Sequence, residues 1–272
     1  MSKEAYFISG FSSSHIGDDG AVIRNKVYSK DLFCEDIHFK RQWMSLGQIA
    51  QKSMLVNISD AIAMNAKPTL ALLGIVIPKT FSLTQLNELS SGFERVAKDY
   101  GISIIGGDTT AGEKLMISVT IISDVKKAIE RKSAKIGDLV AYTGSLGSSQ
   151  KELTRLLRGG KVGSQSRFIK PILKDKFFYK ASSFVNAGMD ISDGLSKDLS
   201  RLCQSSHVGV RFFKKLNKRL LCSGEEYELL FTFSPRYQKT IQRIAHKTRT
   251  KITLFGRITR STYRCFCKEH HF

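Results

Sequence analysis

No stretch of this 272-residue chain is apolar for long enough to cross a bilayer; the longest such run, residues 70–77, falls far short of the about 20 residues a spanning helix needs. The first fifteen residues, MSKEAYFISGFSSSH, lack the continuous apolar segment of a secretion signal. Both absences point to a cytoplasmic protein without a membrane partner. The five cysteines (Cys34, Cys203, Cys222, Cys265, Cys267) include no CxxC pair and no histidine at a matching spacing. Neither a zinc site nor a disulfide framework is expected, and five reduced thiols account for them. No period of 20–50 residues and no low-complexity tract is present, which argues against solenoids and linker arrays. Zinc-finger spacing, an RNP-like aromatic motif and a basic heptad region are missing too, so the obvious nucleic-acid modules are not there.

What is there is an ordinary globular composition, 42% hydrophobic and 25% charged, in a chain long enough for two domains. A chain of this size buries roughly three quarters of the surface its unfolded form exposes. The unusual bulk quantity is a formal net charge of +19, and it is unevenly placed. The first 120 residues hold 12 basic and 12 acidic side chains, so the whole excess falls in the remainder. Such a field favours polyanions, among them nucleotide phosphates and nucleic acid.

Apolar periodicity and turn residues predict extended segments over 22–34 with a turn near Asn25-Lys26, then a helix over 45–66 with a broad apolar face. A buried strand over 69–77 follows, then a helix over 83–100 between an N-cap at Ser82 and a C-cap at Gly101. Strands over 102–105 and 115–122 complete a ββαβαββ unit of α+β type. The basic stretch 125–137 is the expected domain boundary, giving domains 1–130 and 131–272. Beyond it, strands are predicted over 138–143, 227–233 and 252–256, and helices over 148–157, 195–204 and 235–246, an α/β alternation.

The acids of this basic protein stand at punctuation points. Asp18 and Asp19 lie between glycines in IGDDGAV; Asp31 and Asp36 flank an extended segment that runs on to His38; Asp60 sits in a helix in NISD. Asp108 follows Gly106-Gly107, and Asp190 and Asp193 flank Ser192 before a helix. Each alone fits a turn, a cap or a polar helix position. Together they suggest a carboxylate cluster, in which two charges about 5 Å apart repel by roughly 3 kcal/mol at an effective dielectric near 20. Such a cluster calls for cations, and hard oxygen ligands favour Mg²⁺ with substrate phosphates. The adjacent glycines let backbone N–H groups approach phosphate oxygens.

The motifs IGDDGAV (16–22), KDLFCEDIHF (30–39), VNISDAIAMNAKP (56–68), IIGGDTT (104–110), AKIGD (134–138), MDISDGL (189–195), GEEYELLFT (224–232) and GRI (256–258) follow one another over nearly the whole chain. In that order the chain resembles the thiamine-monophosphate kinase family of the aminoimidazole ribonucleotide synthetase-like superfamily. The resemblance implies a two-domain fold: an N-terminal domain forming a dimeric β-barrel with helices outside, and a C-terminal α/β domain. It implies ATP-dependent phosphorylation of thiamine monophosphate to thiamine diphosphate by direct in-line transfer, with several Mg²⁺ ions, in a homodimer. By resemblance, metal ligands fall on Asp18, Ser29, Asp31, Asp60, Asp108, Asp190 and Asp193, with Asp31, Asp108 and Asp190 central to catalysis. Nucleotide contacts fall on Gly107, Asp108, Arg131 and Ser192, and substrate contacts on His38 and Glu225. Another ATP-dependent enzyme of the superfamily is the alternative, and a basic nucleic-acid binder is disfavoured.

The chain departs from the family pattern in places. Lys30 replaces the usual threonine before Asp31, and Glu226 stands where the family has aspartate. Glu269 occupies the position of a C-terminal aromatic that stacks on the substrate, with Phe266 or Phe272 as possible replacements.

Overall fold

The alternation of buried and exposed side chains from Val27 onward makes a strand, and the turn at Arg24-Asn25 folds its predecessor back against it. In the computed structural model, which describes residues 3–267, a short helix α1 (Lys3–Ile8) leads to β1 (Ala21–Ile23) and β2 (Lys26–Cys34). Helix α2 (Leu46–Ala63), strand β3 (Lys67–Pro78), helix α3 (Leu83–Tyr100), and strands β4 (Ser103–Gly112) and β5 (Met116–Asp124) complete the expected ββαβαββ unit. The sheet order is β1-β2-β5-β3-β4, with β3 and β4 parallel and the other pairs antiparallel. This sheet is open, its edges being β1 and β4, and no closed barrel occurs among the described residues.

Helix α3 begins as the sequence predicts, whereas α2, predicted over 45–66, begins after Ser45 and ends at Ala63. Ser45 and Ser82 each form a capping box, with Gln48 and Gln85 as the reciprocal partners. Gly101 closes α3 in the left-handed region at φ 66°. Helix α2 is buried almost all round: Ile49, Met54, Ile58 and Ile62 are closed off from solvent, and so are the polar Lys52, Asn57 and Ser59. An all-round buried helix must have neighbours on every side. Here β2 and β5 lie against one side of α2, and β7 and α5 against another.

The second sheet contains β6 (Leu139–Thr143), β7 (Ala187–Asp190), β8 (Gly209–Phe212), β9 (Leu229–Phe233) and β10 (Ile252–Thr259), ordered β7-β9-β6-β10-β8 and antiparallel throughout. Helices α4 (Ser148–Leu157), α5 (Asp175–Ala181), α6 (Leu195–Ser205), α7 (Lys218–Cys222) and α8 (Gln238–Lys247) accompany it. One apolar cluster runs from Phe33 and Ile58 beside the first sheet to Phe177, Phe231 and Phe233 beside the second, so the core crosses between them.

The expectation of five reduced thiols is corrected. Cys222, at the end of α7, is joined to Cys267 by a disulfide, with Cα atoms 5.6 Å apart across 45 residues of sequence. Spacing alone could not pair them, because only the folding of α7 against the last described segment brings them together. Cys34 and Cys203 are buried free thiols, and Cys265 is partly exposed.

Candidate active site at the junction of the two sheets

Three carboxylates from three separate parts of the chain meet where α2 faces β7. Asp19 comes from the loop before β1, Asp60 from α2 and Asp190 from the end of β7, and an oxygen atom from each lies within 4.8 Å of the others. Asp31, on β2, adjoins them closely enough to act electrostatically on Asp60 and Asp190. Burial, followed by the Asp19 charge, pushes the Asp31 carboxyl up to about 6. Burial and the mutual repulsion of the acids hold Asp60 and Asp190 well above the usual carboxylate range. Ser59 Oγ donates to Asp190 Oδ2 at 2.7 Å, whereas buried Asp190 Oδ1 has no hydrogen-bond partner. Clustered carboxylate oxygens, one of them without a partner, are the type of ligand that a hard divalent cation takes.

The IGDDGAV loop is held by Arg131, which follows β5 in a short 3₁₀ turn. The Arg131 backbone N–H donates to Asp18 Oδ2 at 3.0 Å, and its guanidinium pairs with Asp19 and lies 3.7 Å from Asp18 Oδ1. Burial and the neighbouring Asp19 push Asp18 up to about 6. The Asp190 backbone N–H reaches Asp19 Oδ2 at 3.4 Å. Asp18 thus braces the loop through Arg131, and Asp19 faces the other acids.

A cavity of about 530 Å³ begins two residues beyond Asp190, lined among others by His38, Trp43, Leu153, Phe168, Ser192 and Glu225. His38 Nδ1 accepts from the Cys34 backbone N–H at 3.0 Å, and its ring stacks on Phe33 at 5.6 Å between centroids. The Glu225 carboxylate meets the Lys52 ammonium at 3.1 Å. Tyr227 lies two residues further along; burial and the charges of Glu225, Asp31, Asp190 and Asp60 keep its phenol protonated well above the usual range. The segment 225–227 therefore runs from the cavity toward the acids. An apolar cavity with a few fixed polar groups, next to a carboxylate cluster, suits a ligand with an organic ring and an anionic tail.

The AIR synthase related protein N-terminal domain model matches residues 17–125. The thiamine-monophosphate kinase of Buchnera aphidicola subsp. Schizaphis graminum is 34% identical over 273 residues, 90% of this chain and 84% of the relative. The chain belongs to the thiamine-monophosphate kinase family. The Nitrosopumilus maritimus thiamine-monophosphate kinase is 32% identical, covering 79% of this chain and 76% of the relative. Among solved structures, AaThiL complexed with AMPPCP and TMP superimposes with a TM-score of 0.86 at 25% identity, covering 97% of this chain and 91% of that chain.

The family-derived positions fall into separate groups. Asp31, Asp60 and Asp190 lie in or beside the cluster; Asp19, which is not among the ligands implied by the resemblance, joins them. Ser29 is buried below, hydrogen-bonded to Asn57. Asp193 is ion-paired with Arg201 at 2.6 Å and Lys197 at 3.3 Å. Ser192 lines the cavity, and its carbonyl accepts from the Glu225 N–H. Gly107 and Asp108 lie apart on β4, an exposed edge strand. Across the register Asp31, Val119, Leu73, Gly107, three strand spacings put them about 14 Å from Asp31. Gly107 has φ 153°, and a Cβ there would stand 1.7 Å from the Leu73 carbonyl, so only glycine fits. Asp108 bonds the Thr109 N–H at 2.9 Å.

The departures have local explanations. Lys30 points to the outer face and donates to Ser118 at 2.6 Å and Thr120 at 3.3 Å. Glu226 is buried and accepts from the Gly147 and Ser149 N–H groups at the start of α4, where a negative charge is favoured. Phe266 is 58% exposed, and Glu269 and Phe272 lie outside the described residues. Sequence reasoning passed over Lys52, whose signal is a lone cation in the otherwise uncharged helical run IAQKSMLVNIS, seven residues before Ser59.

Proposed function

We propose that this chain transfers the terminal phosphoryl group of ATP to the phosphate of thiamine monophosphate, releasing ADP and forming thiamine diphosphate. The observation that carries the reading is the largely enclosed Asp19, Asp60 and Asp190 cluster with its buried, unpartnered Asp190 Oδ1, two residues from Ser192 on the wall of a largely apolar cavity. The family membership and the AMPPCP and TMP bound in the structural relative support the same substrates here.

The acceptor phosphate is already an anion near neutral pH, so no general base is needed, and catalysis consists of alignment and charge neutralisation. In this reading Asp19, Asp60 and Asp190, with Asp31 adjoining, would hold Mg²⁺, which would supply positive charge to the phosphate oxygens. Asp18 and Arg131 keep the loop bearing Asp19 in place, and Ser29 and Asp193 support the cluster from its periphery. Ser192 contributes to the nucleotide side, and His38 and Glu225 orient the thiamine moiety in the cavity. An in-line approach of the two phosphates follows from holding one ligand at the cluster and the other along the cavity.

Gly107 and Asp108 belong to the nucleotide and metal set by resemblance, and β4 offers them on a long exposed edge. A homodimer built on the first sheet, with domains 1–130 and 131–272, is part of this proposal, as is a cytoplasmic location. The test is the purified protein with ATP, Mg²⁺ and thiamine monophosphate, followed by chromatography of the thiamine products. Thiamine diphosphate in proportion to ADP is expected; ATP consumption only with a different acceptor would overturn the assignment in favour of another superfamily reaction.

A further inference from the structure

Lysine is almost never fully buried unless paired, yet Lys52 on α2 has no exposed surface. Its Nζ lies 3.1 Å from Glu225 Oε2, 3.9 Å from the centroid of the Phe168 ring and 5.7 Å from that of Phe33. The aromatic faces compensate part of the lost hydration, and the carboxylate supplies the counter-charge. Glu225 is equally constrained. Its backbone adopts the left-handed region at φ 54°, its N–H donates to the Ser192 carbonyl at 2.6 Å, and its carbonyl accepts from Ser149 Oγ at 2.8 Å. A non-glycine residue holds that conformation only where its surroundings enforce it. Among the described residues Lys52 alone bonds its side-chain carboxylate, which stays 23% exposed at the cavity.

Lys52 and Ser59 are seven residues apart, so they share one face of α2 about 10.5 Å from each other along the axis. Each grips one acid of the second half of the chain: Lys52 takes Glu225 at the cavity, and Ser59 takes Asp190 in the carboxylate cluster. We propose that Lys52 is a positioning residue for the thiamine-phosphate substrate. Its ammonium fixes the Glu225 carboxylate on the cavity wall, two helical turns from the site of the phosphates. A substrate with an anionic end and a cationic ring then finds both receptors at a separation set by α2 rather than by loops. The inference rests on the reading under Proposed function, because it takes thiamine monophosphate as the cavity's ligand.

The test combines Lys52→Met, Lys52→Arg, Glu225→Gln and the Lys52→Met/Glu225→Gln double variant, with steady-state kinetics for each substrate and calorimetric binding of thiamine monophosphate. Methionine matches the buried stem and leaves Glu225 free to turn. Lys52→Met is expected to raise the KM and Kd for thiamine monophosphate about tenfold, with the KM for ATP and kcat changing less than about threefold. Lys52→Arg should recover part of the loss, and the double variant should be no worse than the worse single variant. Unchanged affinity for thiamine monophosphate in Lys52→Met, equal losses for both substrates, or fully additive losses in the double variant would overturn the inference. If Lys52→Met does not fold, Lys52→Arg and Glu225→Gln decide it: a selective loss of thiamine monophosphate affinity in both supports it, and wild-type affinity in both overturns it. Absence of thiamine diphosphate formation by the wild-type enzyme would instead overturn the proposed function. The calorimetric comparison still reads the role of Lys52 in that case.

Discussion

Asp190 and Asp60 occupy places where ionisation is opposed by burial and by each other, and this opposition makes them testable one at a time. Replacing Asp190 by asparagine keeps the shape and the Ser59 contact but removes a charge. Turnover should fall at least about a hundredfold, in the range lost with a single preorganised charge-stabilising group. The metal-free melting temperature should hold or rise, because a repulsive charge is gone; activity and thermal unfolding read both effects, and near-normal turnover with saturating Mg²⁺ would remove Asp190 from the site. The same acids set a pH dependence. Asp18 and Asp31 are pushed up to about 6, and Asp60 and Asp190 further, so the native state binds more protons than the unfolded chain above the ordinary carboxylate value. Metal-free stability should therefore decline as pH rises from about 4 through 6 and beyond. Mg²⁺ binds the ionised form, and at a hundred times its Kd it adds about 2.7 kcal/mol, roughly 5–10 °C in melting temperature. That gain should appear at pH 7.5 and nearly vanish at pH 5 in a melting series with and without Mg²⁺. The sequence displayed most of these acids as a recurring pattern, and the resemblance placed a ligand on Asp18, whereas it is Asp19 that joins Asp60 and Asp190 in the structure. Asp18 and Asp19 are adjacent, and only the Arg131 turn, more than 110 residues away, decides which of them faces the cluster.

Elements were legible where they were long and had caps. Helix α3 and its Ser82 and Gly101 ends could be read directly, because periodicity and both cap chemistries agree over 18 residues. Strands β7 and β8, four residues each, and the short α5 and α7 escaped because so few residues show no period against their flanks. Helix α2 was legible as a helix, but its role was not, since burial on every side becomes visible only once two sheets have packed around it. Its N-terminal capping box is worth about 1 kcal/mol. Ser45→Ala should lower the melting temperature by roughly 2–4 °C while leaving the affinity for Mg²⁺ within about twofold, because the cap lies at the far end of α2 from Asp60. The Cys222–Cys267 bridge acts on another element. Closing a 45-residue loop removes chain entropy worth up to about 4 kcal/mol in the unfolded state. Reduction, or Cys222→Ser, should lower the unfolding midpoint measurably. Peptide mapping without reductant should show the Cys222 and Cys267 peptides linked, and a thiol titre of five in the native protein would contradict the bridge.

At the scale of the molecule, the +19 charge was legible as a number and as an asymmetry, but the sequence did not show how one-sided the surface is. Between Leu139 and Cys267 no acidic residue is more than partly exposed. Asp190, Asp198, Glu226 and Glu228 are buried, and Asp193 and Glu225 are occupied by Arg201 and Lys52. Among the described residues, the exposed Lys and Arg side chains on and next to α4 and α7 form no ion pairs, and Lys151, Arg155, Arg158 and Arg219 surround a cavity of about 530 Å³. Acids drawn inward to cap helices and build a site leave the outer surface with uncompensated positive charge, and in 0.1 M salt charges of the first half more than about 10 Å away do not offset it. This surface should bind polyanions without sequence preference, through counterion release. A labelled single-stranded RNA homopolymer should bind at 50 mM salt and lose at least a hundredfold in affinity by 200 mM. Changing Lys151, Arg155, Arg158 and Arg219 together to glutamine should weaken binding at least tenfold and flatten the salt slope by about 3. A neutralising change in the first half, Lys79→Gln, should shift it little. Binding that is flat in salt, or equal in the two variants, would show that the field of the second half does not govern what this molecule attracts.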